Sequence, residues 1–194
     1  DKRITAEVCV HHLWFDESRY DELGSRIKCN PAIKRAADRQ ALITALNDGR
    51  IDVIATDHAP HTADEKRGSY FEAPAGLPLV QHALLTLFDL VADGQISLEL
   101  AVDRACHASA DLFGVVDRGY VREGWFADLV IVDPASPYRV APGNVLYKCG
   151  WSPFEGHEFS AMIDTTIING QVVWRGGRLT GAIPGQRLQF TRER

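Results

Sequence analysis

The sequence lacks a long hydrophobic run, and none of the apolar stretches among its 194 residues is long enough to span a bilayer. It also lacks a cluster of Lys and Arg, and its formal net charge is −5 at pH 7. These absences argue against an integral membrane protein and against a protein that binds nucleic acid. We therefore expect neither a membrane nor a nucleic acid among its partners.

Cysteine is scarce as well. The four cysteines, at positions 9, 29, 106 and 149, are scattered and form no C-x-x-C pair. This spacing argues against a disulfide framework and against a cysteine zinc site, and it is typical of reduced thiols in a cytoplasmic protein. The chain opens on Asp1 rather than on Met, and we expect it to be a portion of a longer protein, with a processed terminus as the alternative.

The most informative stretch is residues 51–61, Ile-Asp-Val-Ile-Ala-Thr-Asp-His-Ala-Pro-His. Its first half is apolar and β-branched and predicts a buried strand. Its second half places an acid, two histidines and a proline where that strand must stop. In parallel α/β folds the chemistry lies at the carboxyl ends of the strands, so this stretch delivers ionisable groups to the functional rim. The plainer alternative is that Asp57 and His58 are ordinary turn residues.

The surrounding segments predict a βαβ unit. Residues 4–10 alternate apolar and polar positions and predict a strand. Residues 36–48 predict a helix that ends at Gly49, and the strand within 51–61 follows it. A strand, a crossover helix and a second strand form the repeating unit of a parallel sheet.

Helices are also predicted after the polar loop 62–72. The first should begin at Pro78 and end near Ala92, and the second should begin at Ser97. Ser109 is predicted to cap a third, short helix.

The predicted secondary structure changes at about residue 118. Strand-length segments replace helices and are predicted at 120–122, 128–132, 162–168 and 171–174. Asn169-Gly170 predicts a two-residue hairpin turn, because both residue types tolerate a positive φ. We therefore predict a boundary near residue 117, with an α/β unit before it and a small antiparallel β unit after it.

Asp57 and His61 are the residues that we expect to carry chemistry. A carboxylate at a strand end can bind a divalent metal and accept a proton from a water molecule that the metal activates. A histidine a few residues on can bind substrate through a neutral imidazole. His58 should point to the opposite side of an extended chain, and we interpret it as a structural, hydrogen-bonded residue.

Other polar residues are predicted to reach the same rim. Asn30 follows the preceding extended segment, and its amide can recognise a carboxylate or a cyclic imide, although Asn before Pro is also a common turn opener. His11 and His12 follow the first strand, and at most one of two adjacent residues there should face a site. Gly76 could offer backbone groups to a ligand, or it could be a plain loop glycine.

Three segments together resemble the dihydroorotase family in its bacterial type I form, within the cyclic amidohydrolase superfamily. They are Asn-Pro-Ala-Ile-Lys at 30–34, the predicted helix with Asp-Arg-Gln-Ala-Leu at 38–42, and the stretch 51–61. Residues 5–13 and 73–76 are similar to that family's strand-seven segment and substrate loop. Residues 124–130 resemble the superfamily's return to its small β domain. The resemblance covers nearly the whole chain.

The resemblance implies a fold. The chain would be the C-terminal part of a metal-dependent TIM-barrel amidohydrolase. Residues 1–117 would supply strands seven and eight with the following helices, and residues 118–194 would form a small domain of the β-sandwich type.

The resemblance also implies roles for individual residues. Asp57 would be a metal ligand and the general acid and base. Asn30 and His61 would contact the substrate through their side chains, and Ala75 and Gly76 through their backbone. The reaction would be the reversible hydrolysis of dihydroorotate to N-carbamoyl-L-aspartate in pyrimidine synthesis, with one or two zinc ions in the complete site.

The sequence departs from the family pattern in two ways. Ala32 and Lys34 stand where the family has Pro and Arg, and Val10 stands where it has Pro before the His pair. The family's other metal ligands, on strands one, four, five and six, have no counterpart in this sequence. One carboxylate cannot hold a catalytic zinc, which needs about three protein ligands. We therefore expect the upstream half of the barrel, in the same protein, to complete the site, and the isolated chain to be inactive.

Two alternative functions stay open. One is an allantoinase or a dihydropyrimidinase, against which Thr56, Ala59, His61 and Asn30 argue. The other is a non-catalytic, dihydroorotase-like scaffold protein that has lost its metal. A homodimer is also left open.

Overall fold

A computed structural model describes residues 4–191 of the chain. Residues 1–3, with which the first predicted domain opens, and residues 192–194, with which the second ends, lie outside the described part.

Helices and strands alternate in the first half of the described chain, and strands dominate the second half. The elements of the first half are β1 (Glu7–Cys9), α1 (Val10–Trp14), α2 (Tyr20–Leu23), α3 (Ala36–Asn47), β2 (Val53–Ala55), α4 (Ala83–Ala92), α5 (Leu98–Val102) and α6 (Ala108–Phe113). Those of the second half are β3 (Leu129–Asp133), β4 (Tyr138–Arg139), β5 (Glu158–Phe159), β6 (Met162–Ile168), β7 (Gln171–Arg175) and β8 (Arg178–Leu179). Short 3-10 turns cover Glu17–Arg19, Gly24–Ile27 and Pro142–Asn144.

The predicted βαβ unit is confirmed. β1 and β2 pair in parallel, with Glu7 opposite Val53 and Cys9 opposite Ala55, and α3 lies between them in the chain. Both strands therefore end at the same rim. The segment that begins at residue 10 and the segment that begins at residue 56 lie close together there.

The first strand is shorter than predicted, because the chain turns into helix α1 at Val10. Val10 and Leu13 are both buried, and their spacing of three residues places them on the same side of one helical turn. Packing of these two side chains offsets the extended preference of the β-branched Val10.

The predicted helix α3 is confirmed. Its buried residues are Ile43 and Leu46, and Asp38 accepts a hydrogen bond from the backbone N–H of Arg35 at 3.1 Å to close the first turn. Gly49, at φ 78°, follows the last turn, as predicted.

Two predicted helix starts are wrong. α4 begins at Ala83 rather than at Pro78, because residues 78–82 form a turn in which the N–H of His82 donates to the carbonyl of Leu79 at 3.0 Å. Ser109 caps no helix. The chain runs from α5 through a π turn at Asp103–His107 directly into α6, and the Ser109 hydroxyl donates to the Arg104 carbonyl within this run.

The predicted end of the first of these helices near Ala92 and the predicted start of the second at Ser97 are confirmed. The Ser97 hydroxyl accepts the N–H of Leu100 at 3.1 Å and caps α5. Gly114 ends α6 in the left-handed conformation, at φ 61°.

The second half contains a four-stranded antiparallel sheet in the order β3-β6-β7-β8. The predicted hairpin between β6 and β7 is confirmed, with Asn169 at φ 48° and Gly170 at φ 77°. The predicted strand at 120–122 is wrong. That segment is irregular, and the Arg122 guanidinium lies over the rings of Tyr120 and Trp125 at 4.3 and 4.7 Å.

The hydrophobic core draws on both halves of the chain. Val8 and Leu13 belong to the same buried cluster as Val140, Phe154 and Phe159. The strand pair β4–β5 contributes Phe159, whose ring lies 5.4 Å from that of Phe154. The domain boundary near residue 117 stays a prediction. Within residues 4–191, none of the helices has the length and hydropathy that a membrane-spanning segment requires.

Candidate active site

Asp57 lies two residues beyond the end of β2, at the carboxyl rim of the parallel pair. Its backbone is in the left-handed region, at φ 47°, and its side chain is exposed. Within residues 4–191 the Asp57 carboxylate makes no hydrogen bond and no ion pair. A carboxylate held in this state is free to bind a cation or to exchange a proton.

Asn30 and Asp57 line the same cavity, which has a volume of about 670 Å³. They reach it from two different segments, one before α3 and one after β2. Three cationic side chains also line this cavity: Lys34, Arg35 and Arg39. The carboxylates of Glu7 and Asp38 line it as well. The cavity thus combines an amide with charged groups of both signs, which suits a polar ligand that carries both donors and acceptors.

His61, Ala75 and Gly76 form a second group. The His61 Nε2 lies 3.0 Å from the carbonyl of Ala75, and since a carbonyl only accepts, this nitrogen is the N–H donor. The N–H of Gly76 donates to the carbonyl of Lys28 at 2.9 Å. Lys28 lies two residues before Asn30, so this bond ties the second group to the segment that lines the cavity. None of the three residues lines that cavity itself.

Gly76 is required by close backbone packing. Its φ is 131°, and a Cβ built there would lie 2.6 Å from the carbonyl oxygen of Ala59 and 3.1 Å from the Nε2 of His61. A side chain at this position would push the loop away from the segment that follows Asp57. Gly76 therefore has a packing role in the loop, and its contact with a substrate stays a prediction.

No sequence pattern indicates a role for Lys66, which lies within the polar loop 62–72. It is only 3% exposed, and its ammonium donates to the carbonyls of Pro74 at 2.8 Å and Gly76 at 3.0 Å. Burial, followed by the charge of Lys28, lowers the pKa of Lys66 from 10.5 to about 8. Lys28 itself donates to the carbonyls of Tyr70 and Ala73, both at 2.6 Å. Two lysines therefore hold the backbone of this loop.

His58 has hydrogen-bond partners in the turn that precedes α4. Its Nδ1 accepts the backbone N–H of Leu79 at 2.9 Å and of Val80 at 3.3 Å. Partial burial lowers the pKa of His58, which keeps the imidazole neutral and able to accept these bonds. The ring thus fixes the turn that precedes α4.

His11 and His12 lie on helix α1. Of the two, His12 lines the cavity that Asn30 and Asp57 share and His11 does not, which agrees with the expectation that at most one of them faces a site. Their ring centroids are 4.1 Å apart. His11 is fully buried, and neither of its ring nitrogens has a hydrogen-bond partner among residues 4–191. Burial and the neighbouring His12 lower the pKa of His11 to about 3, against an opposing effect of the Thr56 backbone.

One group in the described chain combines three side chains of metal-binding type. Cys9, His11 and His12 each offer one ligand atom, and these atoms lie within 4.8 Å of one another. Asp57 belongs to no such group among residues 4–191. The carboxylate of Asp57 still fits a metal ion as a single ligand, because it is exposed and unengaged.

Comparison with known proteins gives a consistent result. The sequence pattern described as "Amidohydrolase family" matches residues 2–173. A protein of Halobacterium salinarum named "Dihydroorotase" is 40% identical over 187 residues, which are 95% of this chain and 43% of that protein. A "Dihydroorotase" of Clostridium acetobutylicum is 39% identical over 172 residues, covering 88% of this chain and 40% of that protein.

Solved structures show the same kind of partial match. The structure titled "Structure of D-hydantoinase" matches with a TM-score of 0.84 and 25% identity, over 92% of this chain and 41% of that one. The L-hydantoinase (dihydropyrimidinase) from Arthrobacter aurescens matches with a TM-score of 0.84 and 26% identity, over 90% of this chain and 40% of that one. The chain thus spans about two fifths of the length of the proteins that it matches.

Proposed function

Because the chain belongs to the amidohydrolase family and is dihydroorotase-like over a portion of those proteins, we propose that it forms part of the active site of a zinc-dependent dihydroorotase. The reaction is the reversible hydrolysis of dihydroorotate to N-carbamoyl-L-aspartate. The observation that carries the proposal is the cavity that Asn30 and Asp57 share.

The proposed architecture is part of a (β/α)8 barrel with a small β domain. β1 and β2 are assigned to barrel strands seven and eight, and the antiparallel sheet to a small β-sandwich-type domain, with the boundary near residue 117. The parallel sheet of the described chain has only two strands, and both of its outer edges would need partners. The upstream half of the same protein supplies them in this proposal.

Asp57 is the residue of this chain that would hold zinc, of which the complete site takes one or two ions. The remaining ligands come from the upstream half, since a catalytic zinc needs about three protein ligands. When bound, zinc lets water act as a nucleophile near neutral pH.

Asp57 then has a second task as the proton carrier. Water adds its oxygen to the ring carbonyl carbon, the ring C–N bond breaks, and the nitrogen leaves as an amide that gains a proton. The Asp57 carboxylate accepts the proton that water loses and returns it to the leaving nitrogen. Its lack of a hydrogen-bond partner among residues 4–191 supports this role, because neither its charge nor its orientation is committed elsewhere.

The substrate is bound by the neighbouring groups. Asn30 offers both a donor and an acceptor to the cyclic imide. Lys34 and Arg35 supply positive charge for the substrate carboxylate. His61, Ala75 and Gly76 approach from the loop, where Lys66 holds the backbone of Gly76.

A second candidate is the hydrolysis of a different cyclic amide, as in a dihydropyrimidinase or an allantoinase. The high TM-scores to hydantoinase and dihydropyrimidinase structures favour it, whereas the higher sequence identity is to proteins named dihydroorotase. A non-catalytic scaffold is the third candidate. One experiment distinguishes these two alternatives from the proposed dihydroorotase.

The test uses the protein that contains this chain, purified with zinc. Its turnover is measured on dihydroorotate, dihydrouracil, hydantoin and allantoin, and its metal content is determined. We expect turnover of dihydroorotate, and a loss of about 10²–10⁴-fold in kcat for Asp57→Asn. Asparagine also tolerates the left-handed backbone, so this variant preserves the local fold.

Asp93→Asn is the matched control, because Asp93 is exposed at the end of α4 and away from the cavity. It should keep full activity. Preference for another ring identifies the second candidate, and a metal-free protein without turnover on any ring identifies the scaffold.

A further inference from the structure

We propose that Cys9, His11 and His12 form a binding site for a thiophilic divalent cation, with zinc and cadmium as the fitting ions. The proposal does not depend on the proposed function, since it concerns a set of ligands that does not include Asp57. Three observations support it: the three side chains lie close together, each histidine has a ring nitrogen available as a ligand, and the cysteine can be reached from a cavity.

The three residues come together where β1 passes into α1. The strand ends at Cys9 and the first turn of the helix contains His11 and His12. Their ligand atoms lie within 4.8 Å of one another, and ligand atoms on one tetrahedral zinc lie about 3.5 Å apart. Small side-chain rotations therefore close the set around an ion.

His11 is a buried group on which the Thr56 backbone acts, although no group of residues 4–191 meets the geometry of a full hydrogen bond to its ring. It is 0% exposed, and neither ring nitrogen makes a hydrogen bond within residues 4–191. Buried polar groups are normally satisfied, and a cation held between Cys9 and His12 would satisfy this one. Its low pKa, about 3, keeps the imidazole neutral and its lone pair available.

His12 has the orientation that metal-binding histidines usually show. Its Nε2 lies 2.8 Å from the carbonyl of Pro31. A carbonyl only accepts, so Nε2 carries the hydrogen and the lone pair is on Nδ1. Donation of the other ring N–H to a carbonyl is the common way in which proteins fix the tautomer of a ligating histidine.

Cys9 supplies the soft ligand and the route from solvent. Cys9 and His12 both line the cavity of about 670 Å³. A cation can enter from this cavity, and a water molecule or an anion can take the fourth position. When the sulfur binds the cation, the thiol releases its proton to solvent. A cation bound there would occupy the floor of the cavity that Asn30 and Asp57 share, so excess cation should inhibit.

The experiment is a cadmium titration of the protein that contains this chain, loaded with its own metal and monitored by ultraviolet difference absorption. Cadmium bound to a thiolate gives a charge-transfer band. We expect the wild type to gain this band at one added equivalent and Cys9→Ser to lose it. Cys106→Ser is the matched control, because Cys106 is an exposed cysteine in the π turn, and it should keep the band.

A second variant covers the case in which Cys9→Ser fails to fold. His12→Gln alters a partly exposed residue and should weaken cadmium binding at least tenfold. A wild type without the band, or a band that survives in Cys9→Ser, would overturn the proposal. A band that is lost only in Cys29→Ser would overturn it too, since the Cys29 sulfur lies 3.8 Å from the His12 Nε2. The absorption needs no turnover, so the proposed function and this site can fail separately.

Discussion

At the scale of single residues, Gly76 shows how one absent side chain positions two segments. The loop approaches the segment after Asp57 so closely that a Cβ would overlap both the carbonyl and the side chain of Ala59, at 2.6 and 2.8 Å. The same contact keeps His61 beside Ala75. The close packing at Gly76 therefore sets how the loop that carries Ala75 lies against the segment that follows Asp57.

Gly76→Ala should destabilise the protein by about 1–3 kcal/mol, because it combines an unfavourable φ with overlap against backbone. It should also raise KM for the substrate. Denaturant unfolding and steady-state kinetics measure the two effects. Gly143→Ala is the control, since a Cβ there meets nothing within 4 Å, and it should change stability by less than about 0.5 kcal/mol. Equal stabilities of the two variants would contradict the packing argument.

Some features of the site could be predicted residue by residue, and others could not. The sequence predicts that Asp57 and Asn30 reach one rim, and both line the same cavity, while their roles stay predictions. For Asp57 the signal is local, because a polar residue directly follows a strand end. The pairing of His11 with Cys9 was not foreseen. It depends on the point at which β1 gives way to α1, which burial of Val10 and Leu13 decides rather than local preference.

At the scale of elements, the loop 62–76 is held by lysine ammonium groups rather than by a regular structure. Lys66 and Lys28 together donate to the carbonyls of Tyr70, Ala73, Pro74 and Gly76. Long loops in compact units are usually functional. Here the fixed backbone keeps Ala75 and Gly76 in place without a helix or strand to support them.

Lys66→Met keeps the length of the side chain and removes its donors. Because it leaves buried carbonyls unsatisfied, it should cost about 1–3 kcal/mol of stability and expose residues 62–76 to limited proteolysis. Lys148→Met, at an exposed position, should behave like the wild type. The prediction fails if Lys66→Met resists proteolysis as well as the control does.

The structure also shows why element boundaries were harder to predict than element types. α4 was expected from Pro78, but the turn at 78–82 is stabilised by the ring of His58, which is twenty residues upstream. The break expected at Ser109 is absent because a π turn carries the helix across it. Both outcomes depend on tertiary contacts, which a local pattern does not contain.

At the scale of the whole molecule, buried histidines make the stability of the fold depend on pH. His82 lies in the core, where its Nδ1 is hydrogen-bonded to the Ser152 hydroxyl at 3.1 Å and lies 3.3 Å from the Tyr147 hydroxyl. Burial lowers the pKa of His82 from 6.5 to about 4, and the pKa of His11 to about 3. Both imidazoles are therefore neutral in the folded chain well below the pH at which they protonate in the unfolded chain.

The two buried histidines should make the protein less stable at acidic pH. Between about pH 6.5 and pH 4 the unfolded chain binds more protons than the folded chain, so the free energy of unfolding falls as the pH falls. His82 alone should account for roughly 3 kcal/mol over this range. Urea unfolding from pH 7 to pH 4 measures it. His82→Gln should flatten the slope, and the partly exposed His107→Gln should leave it unchanged; equal slopes in the two variants would refute the assignment.

The parallel pairing of β1 with β2 also sets the order in which the molecule can form. The β6–β7 hairpin joins Ile168 to Gln171 across a two-residue turn, whereas the parallel pair must bring Glu7 to Val53 across the whole of α3. Local contacts close quickly, and distant ones close late. We therefore expect the rim that carries Asn30 and Asp57 to form after the β6–β7 hairpin has closed.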